Sequence, residues 1–299
     1  MSERGHRCGL VAVIGRPNVG KSTLVNRLVG QKVSIVSPRP QTTRTRALGI
    51  RSDADAQIVY VDTPGLHTGE TNLLSRYMNR AARGSLEDAD CVLMLIAASG
   101  WTEEDNHVLA TVRKRSGPVI LVINKIDRLK TRNALLPLMD QASTYMQFAE
   151  IVPASAATGE NLTDLEKSIV QYLPEQPALF PEHQTTDQGE RFVAAELVRE
   201  QVFRALKQEV PYAIAVGVES FKHMGRLLQV EAVIWVAKSS QKGIVIGRAG
   251  ERLKLIGTRA REEMEKLFKS KVHLELWVRV REDWADSESL LRNLHYGEQ

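Results

Sequence analysis

Two cysteines, Cys8 and Cys91, are all that this chain of 299 residues contains, and they form no CxxC pair. That excludes a disulfide framework and a cysteine-built metal site. It leaves two buried structural thiols in an intracellular, reducing setting as the expectation. Long apolar runs are also missing. No stretch approaches the roughly 18 apolar residues of a membrane span. The opening MSERGHRCGLVAVIG carries basic residues, but its apolar run leads straight into a glycine-rich loop, which predicts a first strand and not a secretion signal. Net charge is small as well. Forty basic residues against thirty-six acidic ones leave +4, so a nucleic-acid partner has to be argued from where the charge sits. There is no long internal repeat and no low-complexity tract.

What is present suits a globular protein. Hydrophobic residues make up 43% of the chain, enough for a sizeable core, and the length is comfortable for two domains. Up to about residue 173, apolar strands alternate with helices. The strand candidates are CGLVAVIG, AQIVYVD, CVLMLIAA, PVILVINK and EIVPASA. Near-continuous apolar runs of this kind predict parallel strands covered on both faces, hence a doubly wound, mostly parallel α/β sheet over 5–173. Residues 174–190, with prolines and many polar groups, predict a linker. From 191 to 299 the rhythm changes. A helix leads into strictly alternating strands (Tyr212, Ile214, Val216, Val218, then Leu228 to Val236). A helical stretch with Leu253, Ile256, Ala260, Met264 and Leu267 on one face follows, and then a last strand, Val272 to Val280. The order is α-β-β-α-α-β, an α+β domain.

The first chemistry is in GRPNVGKST, residues 15–23, which fits GxxxxGK[ST] between a strand and a helix. Gly15, Arg16, Pro17, Asn18, Val19 and Gly20 give a loop whose backbone N–H groups turn toward phosphate oxygens. Lys21 reaches the outer phosphates, Ser22 offers a hydroxyl to Mg²⁺, and Thr23 continues the helix start. Asn124-Lys125-Ile126-Asp127 selects the base. The Asp127 carboxylate accepts from guanine N1–H and its amine, a pattern adenine lacks. Asn124 and Lys125 brace the base and the loop. Ser155 and Ala156 follow the next strand, where the Ala156 N–H would meet the guanine O6. Asp62-Thr63-Pro64-Gly65-Leu66 supplies a carboxylate for Mg²⁺ at Asp62 and an N–H for the γ-phosphate at Gly65. Within QTTRTR the preferred metal ligand is Thr43, with Thr42 as the alternative. The expected catalytic groups read from these motifs are Lys21, Thr43 and Gly65, and the expected metal ligands are Ser22, Thr43 and Asp62.

These motifs, in this order, with α-β-β-α-α-β and VIGRAG behind them, resemble the Era family, bacterial GTPases of the translation-factor-like class with a C-terminal KH domain. The resemblance covers nearly the whole chain. It implies a P-loop GTPase domain followed by a type II KH domain, GTP/GDP and Mg²⁺ as ligands, and slow intrinsic hydrolysis. Leu66 stands where Ras-like enzymes carry a glutamine, so the attacking water has to be positioned by other groups. In similar GTPases an asparagine of the phosphate loop is associated with K⁺, and Asn18 holds that position here, so the resemblance implies a catalytic role for Asn18 as well. The resemblance further implies binding to small-subunit ribosomal RNA near its 3′ end and assistance to 30S maturation. No obligate protein partner is evident. The setting implied is the cytoplasm, with peripheral contact to the cytoplasmic face of the inner membrane as an open possibility.

The second chemistry lies in Gly247-Arg248-Ala249-Gly250. A GxxG loop between two helices lets a nucleic-acid backbone approach closely. Lys242, Ile246, Arg252 and Lys254 flank it. From Lys222 to Arg261 there are nine Lys and Arg against Glu231 and Glu251, a local excess of +7 that exceeds the +4 of the whole chain. Two other readings stay open at this point: a membrane-associated GTPase of cell-cycle control whose basic patch meets anionic lipid, and a single-stranded DNA binder.

Overall fold

The computed structural model describes residues 5–37, 39, 42–65, 72–206, 213–294 and 296. Leu66 and Tyr212 lie outside the described residues. Contacts divide the chain into two units. The described residues of 1–34, 43–68 and 78–187 form one, and those of 35–42, 69–77 and 188–299 form the other.

The first part of the chain runs β1 (Arg7–Gly15), α1 (Lys21–Val29), β2 (Ala47–Ser52), β3 (Ala56–Asp62), α2 (Leu73–Glu87), β4 (Cys91–Ala97) and α3 (Glu103–Val112). It continues through β5 (Val119–Asn124), α4 (Leu135–Tyr145), β6 (Glu150–Pro153) and α5 (Leu162–Gln171). Its strands form one sheet in the order β2-β3-β1-β4-β5-β6. All neighbours are parallel except β2, which runs antiparallel to β3. The parallel strands are mostly apolar because both faces are covered, with polar residues such as Gln57, Asp62 and Asn124 near their ends. Val11, Val13, Leu93, Leu95 and Val122 pack under α1 and α5 on one face. Ala12, Ile14, Met94, Ile96 and Leu121 pack under α3 and α4 on the other. Cys8 and Cys91 are buried and unbridged in this core, and burial pushes the Cys91 thiol up to about 12.

The sequence predicts five strands here, and the structure adds a sixth, β2. ALGIRS is short and broken by Gly49, so it carries no clear alternation. Gly49 is nevertheless required: a Cβ there would come within 2.8 Å of Val29 and 2.9 Å of Val25. Residues 174–187, expected as a linker, are also held against this sheet. Isolated bridges join Arg7 to Glu175 and Gly49 to Thr186. The buried Gln57 side chain accepts from the N–H groups of Leu179 and Phe180 and donates to the Phe180 carbonyl. A buried amide needs such partners, and this segment supplies them.

The other unit carries α6 (Glu190–Ala205), β7 (Ile214–Met224), β8 (Leu227–Val236), α7 (Ser239–Ile246), α8 (Glu251–Phe268), β9 (Lys271–Val280) and a closing helix α9 (Glu288–Asn293). The expected order α-β-β-α-α-β is present. Strands β7 and β8 pair antiparallel, and β9 joins β8 in parallel. Ile214, Val230, Ile234 and Val278 of the sheet pack against Val198 and Val202 of α6 and Ile256, Ala260 and Met264 of α8. Trp235 and Trp277 fall on the face away from this core; the Arg279 guanidinium lies 5.7 Å from the Trp235 ring.

Candidate functional site

Strand β1 sits at the point where the strand order reverses, with β3 on one side and β4 on the other. In open parallel sheets the crevice beyond the strand ends at such a point is the binding position. The register aligns the motif residues there: Val13 pairs with Asp62, Gly15 with Leu95, and Ala97 with Asn124. Beyond β1 the chain turns through Gly15 (φ +153°), Asn18 (φ +61°) and Gly20 (φ +107°). A side chain at Gly15 would meet the Leu95 carbonyl at 2.6 Å, and one at Gly20 would overlap the Asn124 amide. Glycine is therefore dictated by packing as well as by φ. Helix α1 then starts at Lys21 with no side-chain cap, which leaves its first-turn N–H groups for an anion.

Lys21 is only 7% exposed. Its ammonium donates to the carbonyls of Gly15 at 2.9 Å and Arg16 at 3.2 Å. Burial lowers its pKa to about 8, with the nearby Asp62 charge opposing that shift. Asp62 is fully buried, and burial raises its carboxyl pKa while the Lys21 charge opposes it.

The three expected metal ligands converge. Ser22 Oγ lies 2.9 Å from Thr43 Oγ1, and Thr43 donates to Asp62 Oδ2 at 3.4 Å. The other Asp62 oxygen is buried without a hydrogen-bond partner among the described residues. Two hydroxyls beside a carboxylate with a spare oxygen form a hard-oxygen donor set of the kind Mg²⁺ takes, completed by phosphate and water. Thr42, the alternative ligand, points elsewhere: its hydroxyl donates to the Arg39 carbonyl and meets Ser37, both at 2.8 Å. The Thr63 hydroxyl also turns inward, to the Val13 carbonyl at 2.9 Å. Pro64 is buried, and Gly65 sits against Pro17 and Lys21, whose atoms would be 3.3 and 3.4 Å from a Cβ there.

Asn124, 1% exposed, is the hub of the base side. It donates to the Val19 carbonyl at 2.8 Å and accepts from the N–H groups of Lys125 at 2.8 Å and Ala156 at 2.9 Å. The Ala156 N–H, expected to face the base, is therefore already engaged, and a guanine O6 would share that donor with Asn124. Lys125 adopts φ +68° and donates its ammonium to the Asn18 carbonyl. Ile126 is a core residue. Asp127 is exposed, with one carboxylate oxygen held by the Ser155 hydroxyl at 2.6 Å.

The second loop is built differently. Gly247 (φ +75°), Ala249 (φ +49°) and Gly250 (φ +79°) all take positive φ. Lys242, Arg248, Ala249 and Lys254 are exposed, and Ile246 is half-buried. Arg252, expected to meet a nucleic acid directly, donates one guanidinium N–H to the Ile244 carbonyl, which ties it to the end of α7. Beside the loop lies a groove of about 400 Å³ between Leu253, Lys254, Gly257 and Arg261 of α8 and Leu274 and Leu276 of β9. No contiguous stretch of the chain encodes this groove, which forms where α8 meets β9. Gly257, an interior helical glycine, is its one signal: a Cβ there would approach Leu276 to 3.3 Å.

Comparison with known proteins agrees with both halves. A family model described as 50S ribosome-binding GTPase matches residues 10–125, and a KH-domain model matches 209–285. GTPase Era of Stenotrophomonas maltophilia (strain K279a) is 53% identical over 297 residues, covering 99% of this chain and 100% of the relative. The chain belongs to the Era family of GTPases. Era of Pseudomonas aeruginosa (strain LESB58) is 50% identical over 98% of this chain and 96% of its own length. Among solved structures, Era bound to MgGDPNP and nucleotides 1506–1542 of 16S ribosomal RNA superposes with a TM-score of 0.95. It is 42% identical and covers 98% of this chain and 100% of the Era chain. An Aquifex aeolicus Era variant bound to GDP·AlF4 gives the same values. Single P-loop sheet and KH module together are thus the Era architecture, and the enzyme class is GTPase. Among the described residues no helix is long and apolar enough to cross a membrane.

Proposed function

We propose that this Era-family GTPase is a GTP-timed switch that binds small-subunit ribosomal RNA near its 3′ end and assists 30S maturation in the cytoplasm. Residues 5–173 form the timing domain in this reading and residues 191–299 the RNA-binding domain. The observation that carries it is the full-length likeness to an Era structure holding both a GTP analogue with Mg²⁺ and 16S nucleotides 1506–1542.

Each residue then has a task. The N–H groups opening α1 and the Lys21 ammonium hold the phosphates. Ser22, Thr43 and Asp62 would ligate Mg²⁺, which would supply charge neutralisation to the phosphates. Gly65 donates its N–H to the γ-phosphate. Asp127, oriented by Ser155, takes the guanine N1–H and amine through its two oxygens, the one held by Ser155 keeping a lone pair for the base, and Asn124 ties this corner to the phosphate loop. Leucine at 66 cannot hydrogen-bond the attacking water, which other groups then have to position; separately, we propose that Asn18 would hold K⁺, which would add positive charge at the phosphates. Arg248, Lys242 and Lys254 contact RNA phosphates, and the glycines let the backbone in. Binding of the 3′-terminal small-subunit RNA fragment, a DNA of the same sequence and anionic vesicles tests the reading. RNA should bind most tightly, in the presence of a GTP analogue; equal binding to DNA or vesicles would contradict it.

A further inference from the structure

Asp105 lies outside every motif considered so far. It occupies the third position of α3 and is 0% exposed, an uncommon place for a carboxylate. Part of its role is local. Its Oδ2 accepts from the Thr102 N–H at 3.0 Å and the Thr102 hydroxyl at 2.8 Å, closing a capping box at the start of the helix. One acceptor oxygen suffices for that, and a neutral side chain can supply it.

The second oxygen needs another account. Oδ1 is buried and makes no hydrogen bond among the described residues. It stands 3.2 Å from Nε of Arg16, which also donates to Oδ2 at 3.3 Å. A buried carboxylate is costly unless an opposite charge compensates it, and Arg16 is the cation in place. Arg16 is itself gripped at both ends. Its side chain, 19% exposed, ends on Asp105. Its carbonyl, together with that of Gly15, receives the Lys21 ammonium. Gly15 has no room to compensate, because it is packed against the Leu95 carbonyl.

We propose that Asp105 is a positioning residue of this GTPase: through Arg16 it fixes the carbonyls that hold Lys21, and so sets how tightly the loop retains nucleotide. The inference rests on residues 15–23 being the phosphate loop. Losing the Asp105 charge frees the Arg16 side chain to swing toward solvent, and the carbonyl cradle of Lys21 loosens with it. GDP and GTP meet the same loosened loop. The effect therefore falls on nucleotide release and KM, while kcat changes little.

The experiment compares Asp105→Asn, Arg16→Met, Arg16→Lys and the double variant Arg16→Met/Asp105→Asn with the parent chain. The readouts are release of fluorescently labelled GDP, KM and kcat for GTP, and the melting temperature. Asn at 105 keeps an acceptor for the Thr102 cap and removes only the charge. Asp105→Asn and Arg16→Met should each speed GDP release about tenfold, the scale of one lost charged hydrogen bond. The double variant should release no faster than either single one, because both break the same link, and Arg16→Lys should restore most of the retention. Thr102→Val, which loosens the cap and leaves the ion pair, should release GDP at the parental rate. Release within twofold of the parent in a folded Asp105→Asn protein, or additive effects in the double variant, would overturn the proposal. If Asp105→Asn fails to fold, Arg16→Met against Arg16→Lys decides: fast release by Met and slow release by Lys supports it, and any other pair of rates rejects it. A parent chain that retains no labelled GDP would instead reject the phosphate-loop reading itself.

Discussion

The phosphate loop and the GxxG loop both depend on glycine, yet they present their charges in opposite ways. Around Gly15 and Gly20 the protein is dense: a side chain would strike the Leu95 carbonyl at one and the Asn124 amide at the other. In the GxxG loop a Cβ at Gly247 would come within 2.7 Å of Arg252, while at Gly250 nothing lies within 4 Å and only its φ of +79° calls for glycine. Lys21 is buried and ringed by carbonyls, whereas Arg248 and Lys254 stand in solvent. The contrast follows from the ligands. A nucleotide's phosphates are small enough to be enclosed, and enclosure strengthens each charge interaction. An RNA strand extends past its site, so its loop has to stay open and act through exposed charge that salt screens.

Breaking the enclosed loop should cost the most. Asn124→Ala strands the Val19 carbonyl and the Ala156 N–H, and the loss of two or more buried hydrogen bonds is worth about 2 to 6 kcal/mol of stability. Thermal unfolding should show that loss, and saturable GTP binding should disappear in titration calorimetry. Near-normal binding would mean the two walls of the site are not tied through Asn124. Next in size is Asp127→Asn. GTP affinity should fall by about 2 to 4 kcal/mol, while xanthosine triphosphate, with a carbonyl where guanine has its amine, should bind the variant better. Unchanged GTP affinity would remove Asp127 from the base site.

Most of this was legible in advance because it is local chemistry. GRPNVGKST, NKID, DTPG and VIGRAG each report a loop geometry that few other residue strings satisfy, and continuous apolar runs mark parallel strands. What escaped depends on partners distant in sequence. ALGIRS forms a strand because the outer edge of β3 accepts it, a fact its own residues do not carry. Asp105 belongs to no sequence motif, and its pairing with Arg16, 89 residues away, appears only in the fold. The bond from Arg252 to the Ile244 carbonyl joins residues that no motif pairs, and the groove under α8 exists only once β9 lies against that helix.

A smaller effect sharpens the comparison on the enclosed side. If K⁺ acts beside Asn18, hydrolysis should run several-fold faster in KCl than in NaCl at equal ionic strength. Asn18→Gly, which keeps the left-handed backbone at that position (φ +61°), should erase the difference. Steady-state phosphate release measures this, and equal rates in both salts would reject the potassium assignment.

The central claim is that one loop times and the other holds, and a single variant separates them. Arg248→Asp with Ala249→Asp adds two anions and removes a cation at an exposed turn. The φ of +49° at Ala249 is one that aspartate tolerates, so the fold should survive. Affinity for the 3′-terminal small-subunit RNA should fall at least tenfold with a shallower salt dependence, while GTP hydrolysis without RNA stays at the parental rate. A folded double variant that binds this RNA as tightly as the parent would show that the loop is only a turn and would contradict the account.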